Sequence, residues 1–283
     1  MQPGQPSQTA LGAARLRAAH QVLDQASIFA DPLALRILGN DADTAIRHAD
    51  THPSGPRLRW FIAARSRIAE DALATAAGQG VRQLVVLGAG LDTFAYRTPL
   101  AEKLRIFEVD HPATQMWKRH QLADAAIPLP KTLTFVPTDL ERETLPGALI
   151  AAGFDPTQQT FFTWLGVVPY LTDEAIFSTL GFIAGLRGGA HVVFDYVNPP
   201  ASMTEPGRRA MHETLIARVA AVGENIRNHF DSDVLRGLLM ALGFRDVEDF
   251  GWAEIASRFL PGRALSSGGS AHVLRAATLR TSS

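Results

Sequence analysis

The chain contains no cysteine, which removes any disulfide framework and any thiolate-held metal and fits a reducing compartment. Lysine is nearly missing as well: it occurs at Lys103, Lys118 and Lys131, the arginines are scattered, and the formal charge is −1. Such a chain offers no basic field to hold a phosphate backbone, so nucleic acid is not an expected partner. No apolar run approaches the roughly 20 residues that cross a bilayer. The opening residues, Met1 to Gln8, lack the basic start and apolar stretch of a secretory signal, and the expectation is a cytoplasmic protein with no membrane partner. Two catalytic signatures are missing too. There is no G-x-S-x-G for a nucleophile elbow. The tyrosines Tyr96, Tyr170 and Tyr196 are followed four positions on by Leu100, Glu174 and Pro200, never by the lysine a short-chain oxidoreductase would need.

What is present starts at Gln83-Leu84-Val85-Val86-Leu87-Gly88-Ala89-Gly90-Leu91-Asp92-Thr93, an apolar strand running into a glycine turn. At the end of such a strand backbone N–H groups are expected to point outward, and a ligand can come close because glycine has no Cβ. A second apolar run, Lys103 to Val109, closes on Asp110, twenty positions beyond Gly90. Glycines beneath a ligand with a carboxylate on its ribose hydroxyls is how a doubly wound sheet holds adenosine. The third glycine of G-x-G-x-x-G is replaced by Thr93; that glycine serves close helix packing under a pyrophosphate, so its loss argues for S-adenosylmethionine over a dinucleotide.

At 283 residues, 46% hydrophobic and 19% charged, the chain can bury a full core, and one elaborated domain is expected. Strand and helix patterns alternate from about residue 82 onward, the pattern of an α/β Rossmann-like, doubly wound and mainly parallel seven-stranded sheet with an antiparallel edge strand. After the strands that end at Gly88 and Asp110, further strands are predicted at 133–137, 160–165 and 191–196, with weaker ones at 244–249 and 271–276. Helices are predicted at 111–123, 143–152, 172–186, 205–222 and 231–242. Helices at 9–24 and 57–77 precede the sheet, and Asp31-Pro32 opens a short helix with Asp as N-cap. Residues 1–80 are expected to form a helical lid on the substrate side, and 81–283 the cofactor-binding core.

The stretch Val81 to Arg97, followed by Phe107-Glu108-Val109-Asp110-His111-Pro112, resembles the leucine carboxyl methyltransferase family of class I S-adenosylmethionine-dependent methyltransferases. Asp31-Pro32-Leu33-Ala34, Ala63-Ala64-Arg65-Ser66-Arg67-Ile68, Pro137-Thr138-Asp139-Leu140 and Trp164-Leu165-Gly166-Val167-Val168-Pro169-Tyr170-Leu171 match in the same order. The resemblance implies that Asp110 holds the ribose hydroxyls and that Asp139 and Leu140 meet the adenine. Gly88, Ala89 and Gly90 would lie under the methionine part, whose carboxylate Arg65 would grip. His111 would border the cofactor, and Tyr170 would face the methyl group and the acceptor. Leu165, at the cofactor site, departs from the family. Many relatives have glutamate there, so any contact of that carboxylate to the cofactor's amino group is absent or supplied elsewhere.

The chemistry implied is methyl transfer to an oxygen, a carboxylate or hydroxyl of a small-molecule or peptide acceptor. A carboxylate is anionic and needs placement but no base; a hydroxyl needs a base, for which His111, His20, His212 and His229 are the candidates. An inactive module that binds S-adenosylmethionine or S-adenosylhomocysteine is the alternative that Leu165 suggests. Glu108 is expected to be structural, Asp92 and Arg97 to cap and pair locally, and His48 and His52, four apart but without further ligands, to hold no metal.

Overall fold

The computed structural model describes residues 7–51, 56–139, 142–200, 226–262 and 270–278. The predicted helix 205–222, with His212, lies outside them, as do His52 and Leu140. An N-terminal helix α1 (Gln8–Leu23), a 3-10 helix (Arg36–Asp41), α2 (Ala42–Asp50) and α3 (Arg57–Gly78) lead into β1 (Gln83–Leu87), α4 (Phe94–Arg97), β2 (Arg105–Asp110), α5 (Pro112–Asp124), β3 (Leu133–Pro137) and α6 (Leu145–Ala151). Then follow β4 (Thr160–Trp164), a 3-10 turn (Val168–Tyr170), α7 (Asp173–Ala184), β5 (Ala190–Val197), α8 (Ser232–Leu242), β6 (Glu248–Phe250), α9 (Trp252–Phe259) and β7 (Ala271–Ala277).

The seven strands form one sheet in the order β3-β2-β1-β4-β5-β7-β6. β1 pairs in parallel with both β2 and β4, β2 with β3, and β4 with β5. The antiparallel pairing expected at one edge is made by β7, which runs against β5 and against β6. Strand order reverses between β1 and β4, and in open α/β sheets the crevice beyond the carboxyl ends of the strands at that point is where ligands sit.

Every residue of β1 is buried, as a strand covered on both faces requires. Val85 and Leu87 face a core filled by Leu145 and Leu149 of α6, Ile176, Leu180 and Ile183 of α7, and Leu235 and Leu239 of α8. Leu84 and Val86 face the other side, where α3 contributes Trp60 to Ala76 and α9 contributes Trp252 and Ile255. A third cluster joins Ala14 and Ala18 of α1 to Ile37, Leu38, Leu91 and Leu122, so the N-terminal helices are seated over the glycine turn and α5.

The observed strands and long helices fall within a few residues of the predicted ones. The segment after Asp31-Pro32 differs: Asp31 Oδ1 accepts the Leu33 N–H at 3.0 Å, but turns over 32–35 lead into the 3-10 helix, where Gly39 at φ +55° breaks the helical course. The helices α2, α4 and α9 were not anticipated. At four and eight residues, α4 and α9 are too short for a periodic pattern to declare itself.

Candidate functional site

The glycine turn leaves β1 with Gly88 at φ +64° and Gly90 at φ +44°, a region that side-chain-bearing residues rarely enter. Its N–H groups do not point outward as the sequence pattern suggested. Those of Gly88 and Ala89 both donate to the Val109 carbonyl, at 2.8 and 3.1 Å, and that of Gly90 donates to Asp110 Oδ2 at 2.5 Å. With no pyrophosphate to hold, the turn is laced to the end of β2 instead. Neither position has room for a side chain: a Cβ on Gly88 would come 2.3 Å from Val167 Cγ2, and one on Gly90 3.0 Å from the Ala10 Cβ of α1.

This lacing aims Asp110. Its other oxygen accepts the His111 N–H at 2.7 Å, so each carboxylate oxygen carries one backbone bond and keeps a further lone pair for a ligand. Burial pushes the Asp110 carboxyl up from its ordinary value, against the pull of the Gly90 and His111 N–H groups. Thr138 donates to the backbone carbonyl of Asp110 at 2.8 Å, which brings the following residue, Asp139, beside it at the end of β3. His111 caps α5, its Nδ1 accepting the Ala113 N–H at 3.2 Å; the neutral ring therefore has its proton on Nε2 and acts there as a donor.

Beneath β2 lies a second carboxylate of the same strand face. Glu108 is fully buried, with Lys118 Nζ at 2.7 Å and the Tyr96 hydroxyl donating at 3.0 Å. Burial raises its carboxyl despite the lysine. It underpins the strand, the structural part expected of it. Asp92 caps locally, accepting the Phe94 N–H at 2.8 Å.

On the other side of the switch point Gly166, at φ +73°, follows β4, and a Cβ there would lie 2.8 Å from Arg65 Nη2. The Arg65 guanidinium, from α3, donates from Nη1 to Asp195 Oδ2 of β5 at 2.8 Å, across 130 residues of sequence. Asp195 Oδ1 accepts the Gly166 N–H at 2.5 Å. Arg65 is only 8% exposed, yet among the described residues this is its single hydrogen bond, although a guanidinium carries five donors. The guanidinium thus keeps donors that the described residues do not use, beside the bare backbone of Gly166. Asp195 escaped the sequence reading; it carries a weaker sequence signal than Asp110, because it lies inside the apolar run Val192-Val193-Phe194-Asp195-Tyr196-Val197 and does not close it.

Tyr170 ends the 3-10 turn that follows Val167, the residue seated on Gly88. The Arg227 and Asn228 N–H groups both donate to the neighbouring Pro169 carbonyl, at 2.7 and 3.2 Å, which docks His229 beside that turn; burial lowers the His229 imidazole. Leu165 is apolar packing against the α3 side of the sheet. His20 is removed as a base: Nδ1 bonds Asp24 at 2.9 Å and Nε2 accepts the Ile28 and Phe29 N–H groups, each at 3.3 Å, so both ring nitrogens are committed. His48 is exposed on α2. No group of three metal-ligating side chains exists among the described residues, and no helix among them is long and apolar enough to cross a membrane.

The N-terminal helix is pinned over the turn by charge as well as packing. Arg17 Nη2 donates to the Leu91 carbonyl at 2.5 Å and its Nε lies 2.8 Å from Asp31 Oδ2. That same oxygen accepts the Thr93 hydroxyl at 2.6 Å. Arg97 lies 3.3 Å from Asp31 Oδ1 and bonds Glu70 of α3, a wider reach than the local pairing expected of it. Thr93, in the place of the third glycine, is thus the tie between turn and N-terminal segment.

Residues 10–184 match the family model described as leucine carboxyl methyltransferase. A Bacillus subtilis protein, YktD, provisionally named as an S-adenosyl-L-methionine-dependent methyltransferase, is 36% identical over 202 residues, covering 71% of this chain and 66% of the relative. A Frankia alni protein with the same provisional description is 38% identical over 188 residues, covering 63% of this chain and 64% of the relative. The chain thus spans just under two thirds of the length of these relatives. Among solved structures, a provisionally named methyltransferase of Thermobifida fusca superposes with a TM-score of 0.56 at 13% identity, over 98% of this chain and 96% of that one; the likeness is one of fold.

Proposed function

The chain belongs to the leucine carboxyl methyltransferase family, and on that premise we propose that it transfers the methyl group of S-adenosyl-L-methionine to an oxygen of a small-molecule or peptide acceptor, in the first instance a carboxylate. The observation that carries the reading is the buried Arg65 fork, with one hydrogen bond among the described residues, set against bare Gly166. It answers, across the switch point, the Asp110 carboxylate held by the glycine turn. In this reading Asp110 would take the nucleoside end of an adenosyl amino acid and Arg65 its amino-acid end.

The residues present fit the cofactor. Asp110 keeps a lone pair on each carboxylate oxygen for the ribose hydroxyls, Asp139 and His111 would border the adenine, and Gly88, Ala89 and Gly90 would underlie the chain from ribose to sulfur. Arg65 would take the amino-acid carboxylate. When bound, S-adenosylmethionine supplies an electrophilic methyl on a sulfonium and is released as S-adenosylhomocysteine after one methyl has passed to the acceptor. The protein's share is to hold an oxygen nucleophile in line and to exclude water. Such positioning can lower a barrier by about 7–11 kcal/mol in favourable systems. Tyr170, after β4, is the residue we assign to the acceptor side. The helical extension 1–80 would act as the lid over the 81–283 core, with α1, pinned at Ala10 and Arg17, its closing element.

A carboxylate acceptor needs no proton removed. A hydroxyl acceptor does, and among the described residues we assign that base to His229, whose imidazole burial lowers and which follows the contacts to the turn that bears Tyr170. No membrane or nucleic-acid partner is proposed, and cytoplasmic location remains part of the proposal. The deciding experiment is titration calorimetry with S-adenosylhomocysteine. Binding with one site per chain supports the assignment; no heat and no thermal stabilisation at millimolar ligand overturns it. Label transfer from methyl-labelled cofactor to carboxylic acids then separates an enzyme from a binding module.

A further inference from the structure

Arg65 does not stand alone, and its partner has the wrong sign for a simple anion site. The Asp195 carboxylate lies 2.8 Å from the Arg65 Nη1 and is itself 5% exposed. A pocket meant for a phosphate or a lone carboxylate would gain nothing from a buried carboxylate at that distance, since like charges inside a low-dielectric site repel strongly. A zwitterion is different. The amino-acid end of the cofactor presents an ammonium and a carboxylate on one carbon, and a site with a cation and an anion side by side meets both.

The sheet explains why the acid comes from β5. Trp164 and Phe194 are paired in the parallel β4–β5 register, so the next step along both strands sets Leu165 beside Asp195. Asp195 alternates with Phe194 and so shares the face of Val193, the α3 side on which Leu165 also packs. The carboxylate missing at Leu165 is therefore present one strand away on the same face. Its two oxygens each accept one protein hydrogen bond, from Arg65 and from the Gly166 N–H, leaving two lone-pair positions. Asp31 is committed to Thr93, Arg17, Arg97 and the Leu33 N–H, Glu70 to Arg97, and Asp110 faces the other half of the site.

We infer that Asp195 is a cofactor-binding residue that receives the α-ammonium of S-adenosylmethionine, while Arg65 beside it receives the α-carboxylate. This rests on the cofactor reading above. The experiment compares calorimetric affinity of the wild-type chain and Asp195→Asn for S-adenosylhomocysteine and for its analogue lacking the α-amino group. Asparagine keeps the shape and the acceptor for Gly166 but removes the charge. We expect Asp195→Asn to weaken S-adenosylhomocysteine binding about 10- to 100-fold, the scale of one charge-assisted hydrogen bond, and to change affinity for the deaminated analogue by less than about twofold, the signature of a direct pairwise contact. Equal losses for both ligands would mean that Asp195 acts only by holding Arg65, and would overturn the inference, as would no loss for either. Asp195→Ser, which also loses the charge, serves the same comparison should the amide variant fail to fold. A wild-type chain that binds neither ligand refutes the cofactor assignment itself, a result distinguishable from all of these.

Discussion

The two halves of the proposed site are built by opposite means. The nucleoside half joins Gly90 to Asp110 across 20 residues, one strand-turn-strand unit whose members announce one another in sequence. The amino-acid half joins Arg65 to Asp195 across 130 residues, from a helix that precedes the sheet to a strand past its middle. The first is fixed by local backbone geometry, with three N–H groups of the turn tied to the end of β2. The second exists only once α3 has docked on β4 and β5. A ligand that needs both halves therefore reports on assembly of the whole sheet, whereas one that needs only the first does not.

The largest effect that separates the halves lies beneath the nucleoside side. Lys118→Met leaves the fully buried Glu108 without its cation, the Lys118 and Glu108 side chains each being 1% exposed. Breaking a buried pair at one partner costs roughly 3–5 kcal/mol. Urea unfolding should register that loss, and the double variant Lys118→Met with Glu108→Leu should recover much of it. If the single variant unfolds at the wild-type midpoint, the pair does not brace β2.

Next in size is Asp110→Ala. It removes an acceptor for two hydroxyls whose charge-assisted bonds are worth about 1.5–3 kcal/mol each, so affinity for S-adenosylhomocysteine should fall well beyond tenfold, and affinity for adenosine alone should fall as much. Gly166→Ala is the matching wound to the other half. Its Cβ would press on Arg65 Nη2 at 2.8 Å from a backbone at φ +73°, a conformation that costs an ordinary residue about 1–2 kcal/mol. We expect about a tenfold loss for S-adenosylhomocysteine with adenosine affinity unchanged. Loss of both ligands together from Gly166→Ala would erase the distinction between the halves.

The same contrast explains what could be read in the sequence. The strands, the longer helices, Gly88, Gly90 and Asp110 were legible because each leaves a local pattern: an apolar run, a turn, a fixed spacing. Arg65 could be named only through family resemblance, since a lone arginine on a helix has no local signature. Asp195 was invisible because it lies inside β5, with Tyr196 and Val197 still to follow, because no spacing rule links it to the glycine turn, and because its meaning depends on the β4–β5 register. The outward N–H groups expected at Gly88 and Ala89 are a failure of another kind. That rule belongs to turns that cradle a phosphate, and here Val109 accepts both bonds. Thr93, read only as a missing glycine, proved to be a hydroxyl bonded to Asp31.

The smallest effect is also the most diagnostic of Asp110. Burial raises its carboxyl in the folded chain, so the folded state binds that proton more tightly than the unfolded one. In the window from the ordinary aspartate value up to the raised one, the contribution of Asp110 to stability falls as pH rises. Ribose hydroxyls, by contrast, are donors to the ionised form, so cofactor affinity rises with pH through the same window. Unfolding and calorimetry over a mildly acidic series should therefore show slopes of opposite sign, each reaching at most tenfold per pH unit. In Asp110→Asn both slopes should flatten. Gly166→Ala, which leaves this carboxyl alone, should keep them at reduced overall affinity; flattening there as well would mean that the titrating group belongs to the amino-acid half.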